Sequence, residues 1–153
     1  MGRRPTPQQL ELPRFFPYKL SILQSAVSDS IAQLYSGKFN LSRQEWRVIA
    51  ALGTQPEMTG KEIATYTSMD KMPVSRAISR LVKDELISQT PSKEDRRLII
   101  LNLTAKGQDV YQQIVPLVLE REEFLLSALS SDEQQQLDEL MGKLLRQANS
   151  LRQ

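Results

Sequence analysis

The chain has 153 residues, 40% of them hydrophobic and 25% charged, with 20 Lys and Arg against 18 Asp and Glu for a net charge of +2. That is the length and average composition of one globular domain. It contains neither Cys nor His, which excludes disulfides and thiol chemistry and removes the commonest general base and metal ligand. No catalytic residue, metal site or cofactor is therefore assigned, and an enzyme is not expected. The neighbouring carboxylates Glu122–Glu123 and Asp138–Glu139 point in different directions on helical segments and cannot clamp one substrate. No apolar run approaches the ~20 residues that span a bilayer. The polar start MGRRPTPQQLELPR lacks a signal-peptide core, so a cytoplasmic protein without membrane contact is expected.

Charge is unevenly spread. Residues 1–59 carry seven basic and four acidic groups, residues 60–106 nine and six, and residues 107–153 four and eight. A basic middle and an acidic C-terminal part favour one face approaching a polyanion.

The N-terminal stretch, with Pro5, Pro7 and Pro13, reads as a flexible arm. From Phe15 to Tyr35 the residues Leu20, Leu23, Val27, Ile31 and Leu34 follow helical spacing, ended by Gly37. Ser42-Arg43-Gln44-Glu45 is a capping box opening a second helix, closed by Gly53. Thr59-Gly60-Lys61-Glu62 is another, opening a short helix through Tyr66. After the polar break TSMD, Asp70 caps a third helix from Lys71 to Asp84, with Pro73 tolerated in its first turn.

Two strand-like pieces, LISQT and LIILNL, follow, separated by a charged tip. Thr104 caps a long helix to about Leu129, expected to bend at Pro116. Ser130-Ser131-Asp132-Glu133 caps the last helix, whose stripe is Leu137, Leu140, Met141, Leu144, Ala148 and Leu151. The fold class is mainly α with a small β-hairpin wing, in one 1–153 domain.

A short helix, a tight turn, a second helix and a hairpin is the order of a winged helix-turn-helix, whose second helix enters a DNA major groove. At 100° per residue, Val74, Ile78, Leu81 and Val82 face a core. Met72, Arg76, Ser79 and Lys83 face outward, flanked by Ser75 and Arg80, with Lys71 at the start. No carboxylate interrupts this face before Asp84. An arginine fork can bond guanine O6 and N7 together, while lysine and serine reach phosphates. An ordinary solvated basic helix face explains the pattern about as well.

At the wing tip, Asp95 and Arg97 lie two apart and share a side of an extended segment. Asp95 is the expected brace for Arg97, with Lys93 and Arg96 as phosphate contacts and Glu94 left to solvent.

The order LSRQEWRVIAAL, MTGKEIATYTSMDKMPVSRAISRLVKDELI, EDRRLIILNLTAKG resembles the MarR family of dimeric bacterial transcription regulators. The most specific match is Asp95-x-Arg97 followed by Leu103-Thr104-x-x-Gly107. The resemblance implies a winged helix-turn-helix lobe over 41–104, with helices in 13–37 and 105–153 forming a homodimer. It implies double-stranded DNA with a pseudo-palindromic operator as partner, Ser75, Arg76 and Arg80 as recognition contacts, and Arg97 as a minor-groove contact.

The beginning LPRFFPYKLSIL with EWRVIAAL is most similar to the subgroup governing hydroxycinnamate-type catabolism. That implies a repressor released by a small aromatic carboxylate effector, with Arg14, Tyr18, Trp46 and Arg47 as candidate pocket residues. One departure stands out: Glu85 replaces the family's usual glycine just after the recognition helix, where a left-handed cap is costly for a side chain. A winged fold used only for protein–protein assembly remains the alternative, marked by the absence of salt-dependent duplex binding.

Overall fold

The structure, a computed structural model, describes residues 2–3 and 7–152. The expected N-terminal arm falls partly on Met1 and residues 4–6, which lie outside the described residues. A 3-10 turn at Leu12–Arg14 precedes six helices. These are α1 (Phe16–Ser36), α2 (Arg43–Thr54), α3 (Gly60–Thr67), α4 (Lys71–Lys83), α5 (Ala105–Leu126) and α6 (Ser131–Asn149). Between α4 and α5 lie strands β1 (Ile87–Pro91) and β2 (Ile99–Leu103), antiparallel in the register Ile87↔Leu103 to Pro91↔Ile99.

The helix starts follow from their caps. Ser42, Thr59 and Ser130 each accept from the backbone N–H three residues on, and Glu45, Glu62 and Glu133 reach back reciprocally. Thr104 accepts from the Gly107 N–H at 3.0 Å. Asp70 stands at the N-cap of α4 but makes no side-chain cap bond.

Helix ends were less legible. Helix α2 runs through Gly53 to Thr54, because Gly53 serves packing instead of termination: a Cβ there would collide with the Tyr111 ring of α5. Helix α5 stops at Leu126, and Pro116 sits inside it without ending it.

The core is built where α2, α3, α4 and the wing meet. Val48, Ile49, Leu52, Ile63, Val74, Leu81, Ile87 and Leu101 are all buried, and Ile114 of α5 and Tyr35 of α1 close it from above. Met58 adds an isolated antiparallel bridge to β2 through the Leu101 N–H to Met58 carbonyl bond of 2.9 Å. This bridge ties the wing to the segment just before α3.

The outer helices are different. No residue of α6 is buried, and Leu140, Met141, Leu144 and Leu145 are exposed along it. Leu20, Ile22 and Leu23 of α1 and Phe124 of α5 are exposed as well. A 19-residue helix with an apolar stripe and no buried residue is not explained by its own chain.

Candidate nucleic-acid interface

Helix α4 divides as its periodicity demands. Val74, Ala77, Ile78 and Leu81 are buried and Val82 is half-buried. Lys71, Met72, Ser75, Arg76, Ser79, Arg80 and Lys83 are all exposed. Among the described residues Arg76 makes no ion pair, so its guanidinium is available to a ligand.

Arg80 departs from the expected arrangement. Its Nη1 donates to Glu45 Oε1 at 2.9 Å, its Nη2 to the Asn40 carbonyl at 2.9 Å, and its Nε lies 3.7 Å from Asp84 Oδ2. Glu45 is only 3% exposed and already accepts the Ser42 N–H at 2.7 Å. The guanidinium therefore pins α4 to the N-terminus of α2, with a geometry that leaves few of its donors free. Asn40 and Glu45 lie 40 and 35 residues away in sequence, so no local pattern announces the clamp.

The C-terminus of α4 is equally constrained. The Leu86 N–H donates to the Leu81 carbonyl at 2.9 Å and the Glu85 N–H to the Val82 carbonyl at 3.0 Å. That is a Schellman closure with Leu81 and Leu86 buried at its ends. It places Glu85 in the left-handed region at φ 61°, as the missing glycine suggested. Thr104 Oγ1 donates to the Glu85 carbonyl at 2.6 Å, the Thr104 N–H to the Leu86 carbonyl at 3.1 Å, and Lys106 Nζ to the Asp84 carbonyl at 3.1 Å.

Gly107 is what lets α5 come this close, since a Cβ there would overlap the Leu86 carbonyl oxygen. The Leu103-Thr104-x-x-Gly107 spacing thus rivets recognition helix, wing and α5 into one body. A left-handed non-glycine residue stores strain, so Glu85→Gly is expected to stabilise the fold by about 1 kcal/mol. Urea denaturation would register this as a higher midpoint at unchanged slope.

The wing tip is ordered by short-range bonds. Ser92 Oγ accepts from the Glu94 and Asp95 N–H groups at 3.3 Å each, and the Leu98 N–H donates to the Asp95 carbonyl at 3.0 Å. Asp95 Oδ1 accepts from the Arg97 N–H and Nε at 3.1 Å each, and Oδ2 from Nη2 at 3.3 Å. The expected brace is present, and the Arg97 side chain is still 91% exposed. Hydrogen bonding to the Arg97 guanidinium, then to the Arg97 N–H, holds the Asp95 carboxyl below its ordinary range. The folded pKa is depressed, so the brace persists above that range and is lost only as pH falls below it. Lys93, Glu94 and Arg96 are exposed around it.

The four pocket candidates do not gather in one cavity of the single chain. Arg14 is exposed on the 3-10 turn, 3.6 Å from Glu11, and Tyr18 is exposed at the start of α1. Trp46 is stacked between Tyr35 and Tyr111, with ring centroids 5.8 and 6.3 Å away. Arg47 lines a shallow cleft between α2 and α3 with Thr54 and Tyr66.

Residues 39–98 match the sequence profile described as the MarR family. An uncharacterized HTH-type transcriptional regulator, YwoH of Bacillus subtilis, is 30% identical over 109 residues, 71% of this chain and 79% of that protein. The homoprotocatechuate degradative operon repressor of Escherichia coli is 23% identical over 113 residues, 74% and 76% of the two chains. Among solved structures, a MarR/EmrR family transcriptional regulator from Acinetobacter sp. ADP1 superposes with a TM-score of 0.83 at 27% identity, over 92% of this chain and 99% of that one. The transcriptional repressor CouR, bound to a 23-mer DNA duplex, superposes with a TM-score of 0.78 at 25% identity, over 90% and 99%.

Proposed function

The chain belongs to the MarR family, and from that premise we propose that it is a dimeric, sequence-specific DNA-binding transcription regulator, a repressor released by a small aromatic acid. The relatives named above are transcriptional regulators, not enzymes. One observation carries the DNA-binding part. Arg76 of α4, exposed and without an ion pair among the described residues, lies on a helix that no carboxylate interrupts before Asp84, and the braced Arg97 of the wing that follows is exposed as well. Helix and wing suit a major groove and the neighbouring minor groove, where a narrow groove concentrates negative potential. The CouR complex with duplex DNA supports this reading. No helix of the described residues is long and apolar enough to cross a membrane, and a DNA-bound regulator works in the cytoplasm.

The exposed stripe of α6 supports a homodimer. Phe16 and Leu20 of α1 form, with Met141, Leu144, Leu145 and Leu151, an open apolar groove of about 1070 Å³. A second copy would cover it with the same surface, as two-fold symmetry requires. Twofold symmetry in turn predicts a pseudo-palindromic operator with half-sites about one helical turn apart.

Arg14 and Tyr18 are exposed around the start of α1, and they are the pair expected to hold an aromatic carboxylate, by a bidentate guanidinium contact and ring packing. The name of the Escherichia coli relative, a degradative operon repressor for homoprotocatechuate, supports that ligand class. A gel shift on DNA upstream of the chain's own gene, repeated with a panel of aromatic acids, tests the whole reading. The expected result is a retarded complex that one acid dissolves. A complex indifferent to every acid would remove the effector and leave the DNA binding.

A further inference from the structure

Met72, the second residue of α4, is 68% exposed. Among the described residues of the 41–104 lobe no other large apolar side chain is as open: Tyr66, Leu98 and Ile99 lie between 43% and 51%. The other methionines of that lobe turn inward, Met58 buried and Met69 packed against the core. A single exposed apolar residue is ordinary on a protein surface. The setting of this one is not. Met72 stands in one stripe with Ser75, Arg76 and Ser79, at the i, i+3, i+4 and i+7 positions of a helix face otherwise made of cations and small hydroxyls. The first turn holds no acidic residue. A solvated face has no use for the thioether, since lysine or glutamine matches methionine in helix propensity without exposing apolar area.

Base edges in the major groove present hydrogen-bonding groups and one apolar group, the thymine C5-methyl. Residues at the N-terminus of a recognition helix are the ones that reach those edges. Resting on the DNA-binding reading above, we infer that Met72 is a specificity-determining residue that reads a thymine by packing against its C5-methyl group. The unbranched thioether is soft and adaptable, so it seats a methyl group without a fixed geometry. Its distance from Arg76 says where that thymine lies. Four residues advance about 6 Å along a helix, and base pairs repeat every ~3.4 Å. With α4 along the groove, the thymine falls within about two base pairs of the base that Arg76 contacts. Each half-site then carries the two marks at that spacing. Because Met72 brings no charge, it adds sequence discrimination and leaves the salt dependence of binding untouched.

The test replaces thymines in the duplex upstream of the chain's own gene by deoxyuridine, one symmetric pair at a time, which removes the methyl group and keeps base pairing. Wild type, Met72→Ala and Met72→Leu are titrated against each duplex as full chains. At one thymine position, loss of the methyl contact should weaken wild-type binding about fourfold per half-site. Met72→Ala should bind the unmodified duplex more weakly by a similar factor and be indifferent to uracil at that position, whereas Met72→Leu should keep the sensitivity. All three should bind scrambled duplex alike, with one salt slope and one melting temperature. A wild type indifferent to uracil at every position, or a Met72→Ala that keeps the full sensitivity, overturns the assignment. If Arg97→Ala still weakens operator binding in that case, the DNA-binding reading stands without it. Absence of duplex binding in the wild type removes both.

Discussion

Gly107→Ala is expected to destabilise the fold by about 3 kcal/mol, among the larger effects of adding one methyl group to a packed site. The added Cβ would meet the Leu86 carbonyl oxygen, which is backbone and cannot swing aside. That oxygen already accepts the Thr104 N–H, and the neighbouring Glu85 carbonyl accepts Thr104 Oγ1. Relief would require α5 to lift off the Schellman closure of α4, breaking the joint between recognition helix and α5. For a chain of this size the destabilisation corresponds to a melting temperature lower by roughly 10 °C. Gly37→Ala is the matched control: nothing lies within 4 Å of its added Cβ and its φ is −79°, so a change within about 0.5 kcal/mol is expected. Equal melting of the two variants would show that the joint between α4 and α5 is not tight.

Arg76→Ala and Arg97→Ala are each expected to weaken operator binding by about 1–3 kcal/mol, roughly fivefold to 150-fold, with melting temperature unchanged. Both side chains are exposed and neither holds the core. Arg80→Ala should behave in the opposite way. Its removal leaves the buried Glu45 carboxylate with only the Ser42 N–H, and breaking a charge-assisted bond costs stability of about 2 kcal/mol. Thermal melts and binding isotherms on the three variants separate DNA-reading arginines from the clamp. A stable Arg80→Ala with impaired binding would return Arg80 to the reading surface, and normal binding by Arg76→Ala and Arg97→Ala would overturn the assignment of both.

The contrast between Arg76 and Arg80 marks where sequence reasoning reaches its limit. Helical spacing correctly turned Val74, Ile78 and Leu81 inward and seven polar or long side chains outward, because a 3.6-residue period is a local property. Whether an outward arginine is free depends on what stands opposite. Asn40 and Glu45 arrive there only through folding of α2 against α4. The capping boxes at Ser42, Thr59 and Ser130 were readable because both partners lie within about four residues.

Asp95 and Arg97 were readable for the same reason. Glu85 was legible as a departure from the family's glycine, and its φ of 61° gives that departure its physical content. Gly53 reads in sequence as a stop although α2 runs on to Thr54, since a glycine that admits the Tyr111 ring looks in sequence like one that ends a helix.

In the proposed function, helix α4 and the wing together bind duplex DNA through its backbone charge, and everything else proposed for the chain depends on that. The most direct measurement is the binding constant of the wild-type chain for duplex upstream of its own gene, titrated with salt. Three exposed cations per protomer, Lys71, Lys93 and Arg96, are the proposed phosphate contacts, six in a dimer. Log K should then fall linearly with log salt with a slope of about −5 or steeper. Duplex binding that is absent, or that does not change with salt, would contradict the account and leave a winged fold that serves protein assembly instead.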